Sequence, residues 1–250
     1  MIIRPAIDDL LLVTQPDHAA LAGAVMAAWR ADGLAEHPER EELLLAVREH
    51  DHGWLEPDAA PTVDPVTGTP EDFLDAPAGV RQAVWPRGTA RLAGAHPYAA
   101  ALVAHHALNV YRRHRAEAAW QAFFAEMEDA RRTALDRVPA ARRAGWPGDY
   151  RFLFLGDLIS LVFCHGWTQP FEGERYRLLL AGTTLAVTPD PFAGGEVPLA
   201  VPARRIPARR YENDEDLRRT LAAAPTVMLE GNVRGAARVA DSRWPRADSR

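Results

Sequence analysis

Apolar positions recur along this chain with two different periods, and the switch between them divides it. Residues 2–4 and 10–14 are short runs of β-type residues separated by "AIDDL", which predicts a small hairpin at the start. The period then becomes helical. Pro16 and Asp17 mark a helix start, and Leu21, Ala22, Val25 and Trp29 recur on one face, so a helix is expected over about residues 16–31. "PEREELLLAVREHD" opens with proline and glutamates, as a helix N-terminus prefers, and carries Leu43, Ala46 and Val47 on the face that leads to His50. "GWLEPDAAPTVDPVTGTPEDFLDAP" follows, dense in proline, aspartate and glycine. It is too long for an ordinary connection and reads as a structured functional loop or lid. Further helices are expected near residues 78–93, 97–113, 115–137 and 149–165.

After Trp167 the pattern changes again. "RYRLLLAGTTLAVTPDPF" and "VPLAVPARRIPARR" read as short strands with turns, "NDEDLRRTLAAAP" as one capped helix, and "TVMLEG" as a last strand. The expected organisation is a β-hairpin over 1–15, a helical core over 16–168, a β-rich appendage over 173–233 that pairs with the hairpin, and a loose arginine-rich tail over 234–250. The fold class predicted is mainly α, with about six or seven helices and a small β-rich appendage formed by the N-terminal hairpin and C-terminal strands.

Composition narrows the partners. The 250 residues are 48% hydrophobic and 25% charged, a globular balance. A net charge of -5 offers no electrostatic footprint for nucleic acid. The single cysteine, Cys164, lies in the apolar run "LGDLISLVFC" and reads as a buried small hydrophobe. The start lacks the basic, apolar and cleavage segments of a secretory signal, and "FLFLGDLISLVFC" is too short for a membrane span and contains a carboxylate. These features predict a cytoplasmic protein with no nucleic-acid partner and no membrane association.

Candidate chemistry sits where polar groups interrupt apolar faces. His50 and Asp51 are adjacent at a helix end, where two consecutive side chains can aim an imidazole and a hard carboxylate oxygen at one point. His18 shares the face of Leu21, Ala22, Val25 and Trp29, although a solitary inward histidine is more often a satisfied core residue. Asp157 lies among Leu153, Phe154, Leu161 and Cys164 at helical spacings, and a buried carboxylate needs an arginine, a set of N–H donors or a cation. In "YAAALVAHHALNVY", His105 and His106 cannot share one direction, and periodicity barely separates them. His52, Trp54, Asp58 and Asp64 in the long loop are candidates for lining a pocket. No phosphate-binding glycine loop, nucleophile-elbow serine or paired CxxC is present.

The order His18, His50-Asp51, Asp157, each on its own predicted helix, resembles the H…HD…D signature of the HD-domain superfamily of metal-dependent phosphohydrolases, over about residues 14–166. The fuller set "TQPDHAALA", "EHDHGWLEPDAAPTVDPVTGTPEDF", "AALVAHH" and "LFLGDLISLVFC" is similar to an uncharacterised family related to HD proteins, over about residues 1–233. That similarity implies an HD-like helical core, metal ligands at His18, His50, Asp51, His106 and Asp157, and His106 rather than His105 at the matched position. The ligand types suit one or two ions of manganese, iron, cobalt or nickel. The implied activity is metal-activated hydrolysis of a small phosphorylated metabolite or nucleotide, with Asp51 bridging two metals if His106 joins a second site, and His105 or His106 protonating the leaving group. Lysine is absent, so phosphate contacts would fall to arginines such as Arg48, Arg81, Arg112 or Arg113. A di-iron oxygenase on the same scaffold and a non-catalytic metal- or ligand-binding regulatory module are the competing readings.

Overall fold

A computed structural model describes residues 1–237. Strands β1 (Ile2–Pro5) and β2 (Asp9–Val13) form an antiparallel hairpin with Ile2 opposite Val13. Helix α1 (Gln15–Ala27) starts where the Thr14 side chain accepts from the Asp17 amide. Helix α2 (Arg40–Glu49) leads through a 3-10 turn at His52–Trp54 into the short α3 (Leu55–Ala59). Then come α4 (Ala78–Ala93), α5 (Pro97–Val110), α6 (Gln121–Asp136), the one-turn α7 (Ala140–Arg143) and the long α8 (Trp146–His165). A left-handed glycine, Gly166, ends α8.

The C-terminal third adds β3 (Phe171–Gly173), β4 (Tyr176–Ala181), β5 (Thr184–Thr188), β6 (Glu196–Pro207), helix α9 (Asp214–Ala223) and β7 (Thr226–Gly235). All seven strands join one sheet in the order β1-β2-β6-β7-β5-β4-β3. Its pairings are antiparallel except for β5 against β7.

This architecture corrects the expected fold class. The protein is not mainly α: a seven-stranded mixed sheet, curled into a half-barrel, stands beside helices that occupy about half of the chain, giving a mixed α/β fold. The physical reason lies in what the strands bury. Leu178, Leu180, Leu185, Val187, Leu199, Val201 and Ala203 alternate inward and enter the same core as Trp29, Leu102 and Phe152 of the helical part. A layer that shares the main core is structural, and an appendage would have a separate one. On the other face of the sheet, Leu12 and Ile206 pack with Tyr211, Leu217 and Leu221, so α9 covers the β2–β6 seam.

The expected tail over 234–250 falls largely on residues 238–250, which lie outside the described residues; Arg234 and Gly235 complete β7. The expected 115–137 helix starts only at Gln121, after a 3-10 turn at Ala118–Trp120. Among the described residues, no helix is long and apolar enough to cross a membrane.

Candidate metal centre

Three α-helices and a 3-10 turn bring the singled-out residues together. His18 projects from the buried face of α1, His50 caps the end of α2, Asp51 opens the 3-10 turn, and Asp157 lies mid-way along α8. Because the backbone leaves the helix between His50 (φ -57, ψ -33) and Asp51 (φ -104, ψ 15), two consecutive side chains converge instead of diverging by a helical step. Gly156 makes the approach of α8 possible: a Cβ there would stand 2.8 Å from Val47 Cγ1 and 2.9 Å from Met26 Cγ. Gly53 does the same for the turn, since a Cβ would collide with the Val84 carbonyl of α4.

One ligand atom each from His18, His50, Asp51 and Asp157 lies within 4.8 Å of all the others, so this buried cluster could hold a metal ion. Ligands bound at about 2.1 Å span slightly over 4 Å across the ion, close to this spread. Asp51 Oδ2 is 3.0 Å from His18 Nε2 and 3.3 Å from His50 Nε2. Asp157 Oδ1 is 3.6 Å and 3.4 Å from the same two nitrogens. His50 Nε2 reaches both carboxylates yet makes a well-directed hydrogen bond to neither.

The outer hydrogen bonds fix which ring nitrogen faces inward. His50 Nδ1 is 2.7 Å from the Val47 carbonyl, which can only accept, so Nδ1 carries the proton. His18 lies between two partners: its Nε2 is 3.0 Å from Asp51 Oδ2, which can only accept and so takes the Nε2 proton in the metal-free chain, and its Nδ1 is 2.7 Å from Ser160 Oγ, which also reaches the Asp157 carbonyl at 3.0 Å and would accept Nδ1–H once a cation replaced the Nε2 proton. Each ring therefore aims its Nε2 at carboxylate oxygens. Lone pair against lone pair at these distances is repulsive, and only a proton or a cation between them relieves it.

In the metal-free chain the proton does so. Burial works against a charged His50, but the Asp51 and Asp157 carboxylates outweigh it and raise its pKa well above the ordinary imidazole value. Burial likewise opposes the charge on Asp51, which His50 and His18 overcome, holding its pKa far below the usual carboxylate range. Asp157 is lowered on the same balance, burial against His50, His106 and His18.

His106 lies beside this set. Its Nε2 is 3.5 Å from Asp157 Oδ2, its Nδ1 is 3.1 Å from the Tyr150 hydroxyl, and burial pushes its pKa down to about 4. The carboxylate that faces both ways is thus Asp157, with Oδ1 toward His18 and His50 and Oδ2 toward His106; Asp51, the expected bridge, turns Oδ2 to His18 and His50. His105 departs from the cluster: Arg131 donates to its Nδ1 at 2.9 Å and its ring packs on Trp146 and Tyr150.

A cavity of about 610 Å³ opens onto the cluster, with His106, Asp157 and Tyr150 in its lining and Arg112, Arg113 and Glu174 among the charged groups around it. None of His52, Trp54, Asp58 or Asp64 lines it. His52 pairs with Glu49 at 3.0 Å, and Trp54 packs edge-on to Phe73. Asp58 is buried against the Met1 ammonium and the Gln15 amide, while Asp64 is exposed and accepts from Val66 and Thr67 amides in its own turn. The long loop thus holds itself and the start of α1 together, and the cavity is walled from other elements. Of the candidate arginines, Arg112 and Arg113 line the cavity, Arg81 lies over the Tyr111 and Trp120 rings, and Arg48 meets Glu49.

Ser160, Tyr150, Asn109 and Glu174 had not been singled out. Ser160 carried a readable signal, being a polar residue one turn from Asp157 in the same apolar run. Glu174 had none, because its place depends on how the sheet meets α8.

A family model described as "Protein of unknown function (DUF3891)" matches residues 1–208, and the chain belongs to that family. No curated protein matches, and no solved structure matches.

Proposed function

We propose that this DUF3891 protein is a metal-dependent hydrolase of the HD type that acts on a small phosphorylated metabolite or nucleotide. The observation that carries the reading is the convergence of two Nε2 atoms, their outer nitrogens facing Val47 and Ser160, on two carboxylates, one of which, Asp157, lines a cavity. Two imidazoles and two carboxylates form a mixed nitrogen and oxygen set that suits manganese, iron, cobalt or nickel. Such an ion, when bound, lowers the pKa of coordinated water and polarises a phosphoryl oxygen.

The chain's own residues supply the rest. Arg112 and Arg113 line the cavity, where their guanidinium groups would orient a phosphate by bidentate contacts. His106, held neutral by burial with the Tyr150 hydroxyl at Nδ1, lines the cavity beside Asp157; a neutral imidazole would serve there as a proton acceptor, and the leaving oxygen would take its proton from water. His105 takes no part, since Arg131 occupies its Nδ1.

The test is elemental mass spectrometry on protein purified without an affinity-metal column, comparing wild type with His50→Ala and Asp157→Ala, followed by phosphate release from a panel of phosphate esters and nucleotides. Near-stoichiometric manganese, iron, cobalt or nickel, lost in both folded variants, together with metal-dependent phosphate release, is expected; one or two equivalents gives the nuclearity. No bound metal and none taken up on titration would overturn the reading. Iron with oxygen consumption and no phosphate release would replace hydrolysis by oxidation.

A further inference from the structure

The cavity holds charges of both signs that are unpaired among the described residues. Among the described residues, Arg112 and Arg113 have no carboxylate within ion-pair distance, and Glu174 has no cation; Arg113 only donates to His114 Nε2 at 3.2 Å. The two arginines follow the end of α5, whereas Glu174 comes from the sheet. They line one cavity without neutralising each other.

The position of Glu174 is fixed by its neighbours. Gly173 and Tyr176 are paired, so Glu174 and Arg175 form a two-residue hairpin turn, and Glu174 takes φ 54, a conformation that such turns usually give to glycine, asparagine or aspartate. Gly173 is pressed onto α8, where a Cβ would lie 2.8 Å from Leu158 Cδ2 and 3.0 Å from Phe154 Cε1. Leu158 follows Asp157 directly in the chain, so the turn is anchored to the stretch of α8 that bears a candidate ligand. The sheet thereby delivers one carboxylate to a cavity whose other free charges are cationic.

We propose that Glu174 is the specificity determinant of this cavity and selects small phosphate esters that carry a second, positively charged end. The inference rests on the hydrolase reading above: the phosphate faces the metal set and the two arginines, and a cationic group at the far end of the substrate meets Glu174. A pair formed in a partly open cavity is worth only a few-fold in affinity, so the effect is one of selection.

Isothermal titration calorimetry of the manganese-loaded full chain tests this with ethyl phosphate and 2-aminoethyl phosphate, which differ by the ammonium alone. Binding of the amino ester about fivefold tighter is expected, with the preference abolished by Glu174→Gln and ethyl phosphate binding unchanged in that variant. The double substitution Arg112→Ala/Arg113→Ala should weaken both esters alike. Equal binding of the two esters by wild type, or a preference that survives Glu174→Gln, overturns the inference while the arginine-dependent phosphate binding still stands. Failure of the manganese-loaded wild type to bind either ester overturns the hydrolase reading, and this inference with it.

Discussion

Ser160→Ala is the perturbation that best separates a metal centre from a buried ion-pair cluster. Ser160 Oγ lies 2.7 Å from His18 Nδ1 and reaches the Asp157 carbonyl at 3.0 Å, so it is the acceptor that His18 Nδ1–H would need when Nε2 served as a ligand. Without it, the metal-bound tautomer keeps a fully buried Nδ1–H with no acceptor, at a cost of about 1–3 kcal/mol. The metal-free protein escapes that cost. Its His18 ring carries the proton on Nε2 and donates to Asp51 Oδ2, 3.0 Å away. The penalty therefore falls on the bound state, and metal affinity should drop about 10- to 100-fold, the range found when the partner of a ligating histidine is removed. Competition with a chromophoric chelator measures the affinity, and a melt in excess chelator shows the metal-free fold nearly as stable as wild type. An affinity within about twofold of wild type would refute the claim that Ser160 supports the metal-bound tautomer.

Three further outcomes follow from the same geometry. The folded pKa of His50 lies well above the unfolded value of about 6.5, so its stabilisation is full below that pH and is lost as pH rises through the folded value; Asp51 and Asp157, lowered on folding, contribute above about pH 4 and lose their contribution on acidification. Melts from about pH 6.5 to 9 should show the chelated protein losing stability and the metal-saturated protein keeping it, because the bound cation replaces the His50 proton. Gly156→Ala puts a methyl against Val47 and Met26, and should cost about 1–3 kcal/mol in urea unfolding and reduce metal occupancy as α8 is forced outward. Asp58→Ala removes the buried partner of the Met1 ammonium and of the Gln15 amide at the start of α1, and should cost about 3–5 kcal/mol by the same assay without a direct effect on the ligands.

What could be read from the sequence follows one rule: a titratable side chain on an apolar helical face has to be paired. The rule finds His18 and Asp157, and the helix-end pair His50-Asp51 completes the set without any knowledge of the tertiary packing. Ser160, which does not titrate, needs the wider rule that any polar side chain in an apolar run finds a partner. Neither rule can choose between His105 and His106, because both have apolar neighbours at helical spacing; Tyr150 contacts both, and the choice is made by Arg131 on one side and Asp157 on the other.

That the sheet shares the main core, and that it walls a cavity, was hidden for a different reason. Period-two alternation identifies a strand and its buried face, but says nothing about which layer that face will meet. Leu178 and Leu180 would alternate identically in an independent appendage, and the decisive fact, that they share a core with Phe152, is a property of packing alone. The register of β2 against β6, with Leu10 opposite Ile206, then closes hairpin and C-terminal strands into one sheet across most of the chain. Glu174 reaches the cavity only because that sheet lies against α8 at Gly173. The residues legible as a ligand set form the candidate metal centre, and the sheet, whose place in the core was not legible, brings Glu174 to the cavity beside it.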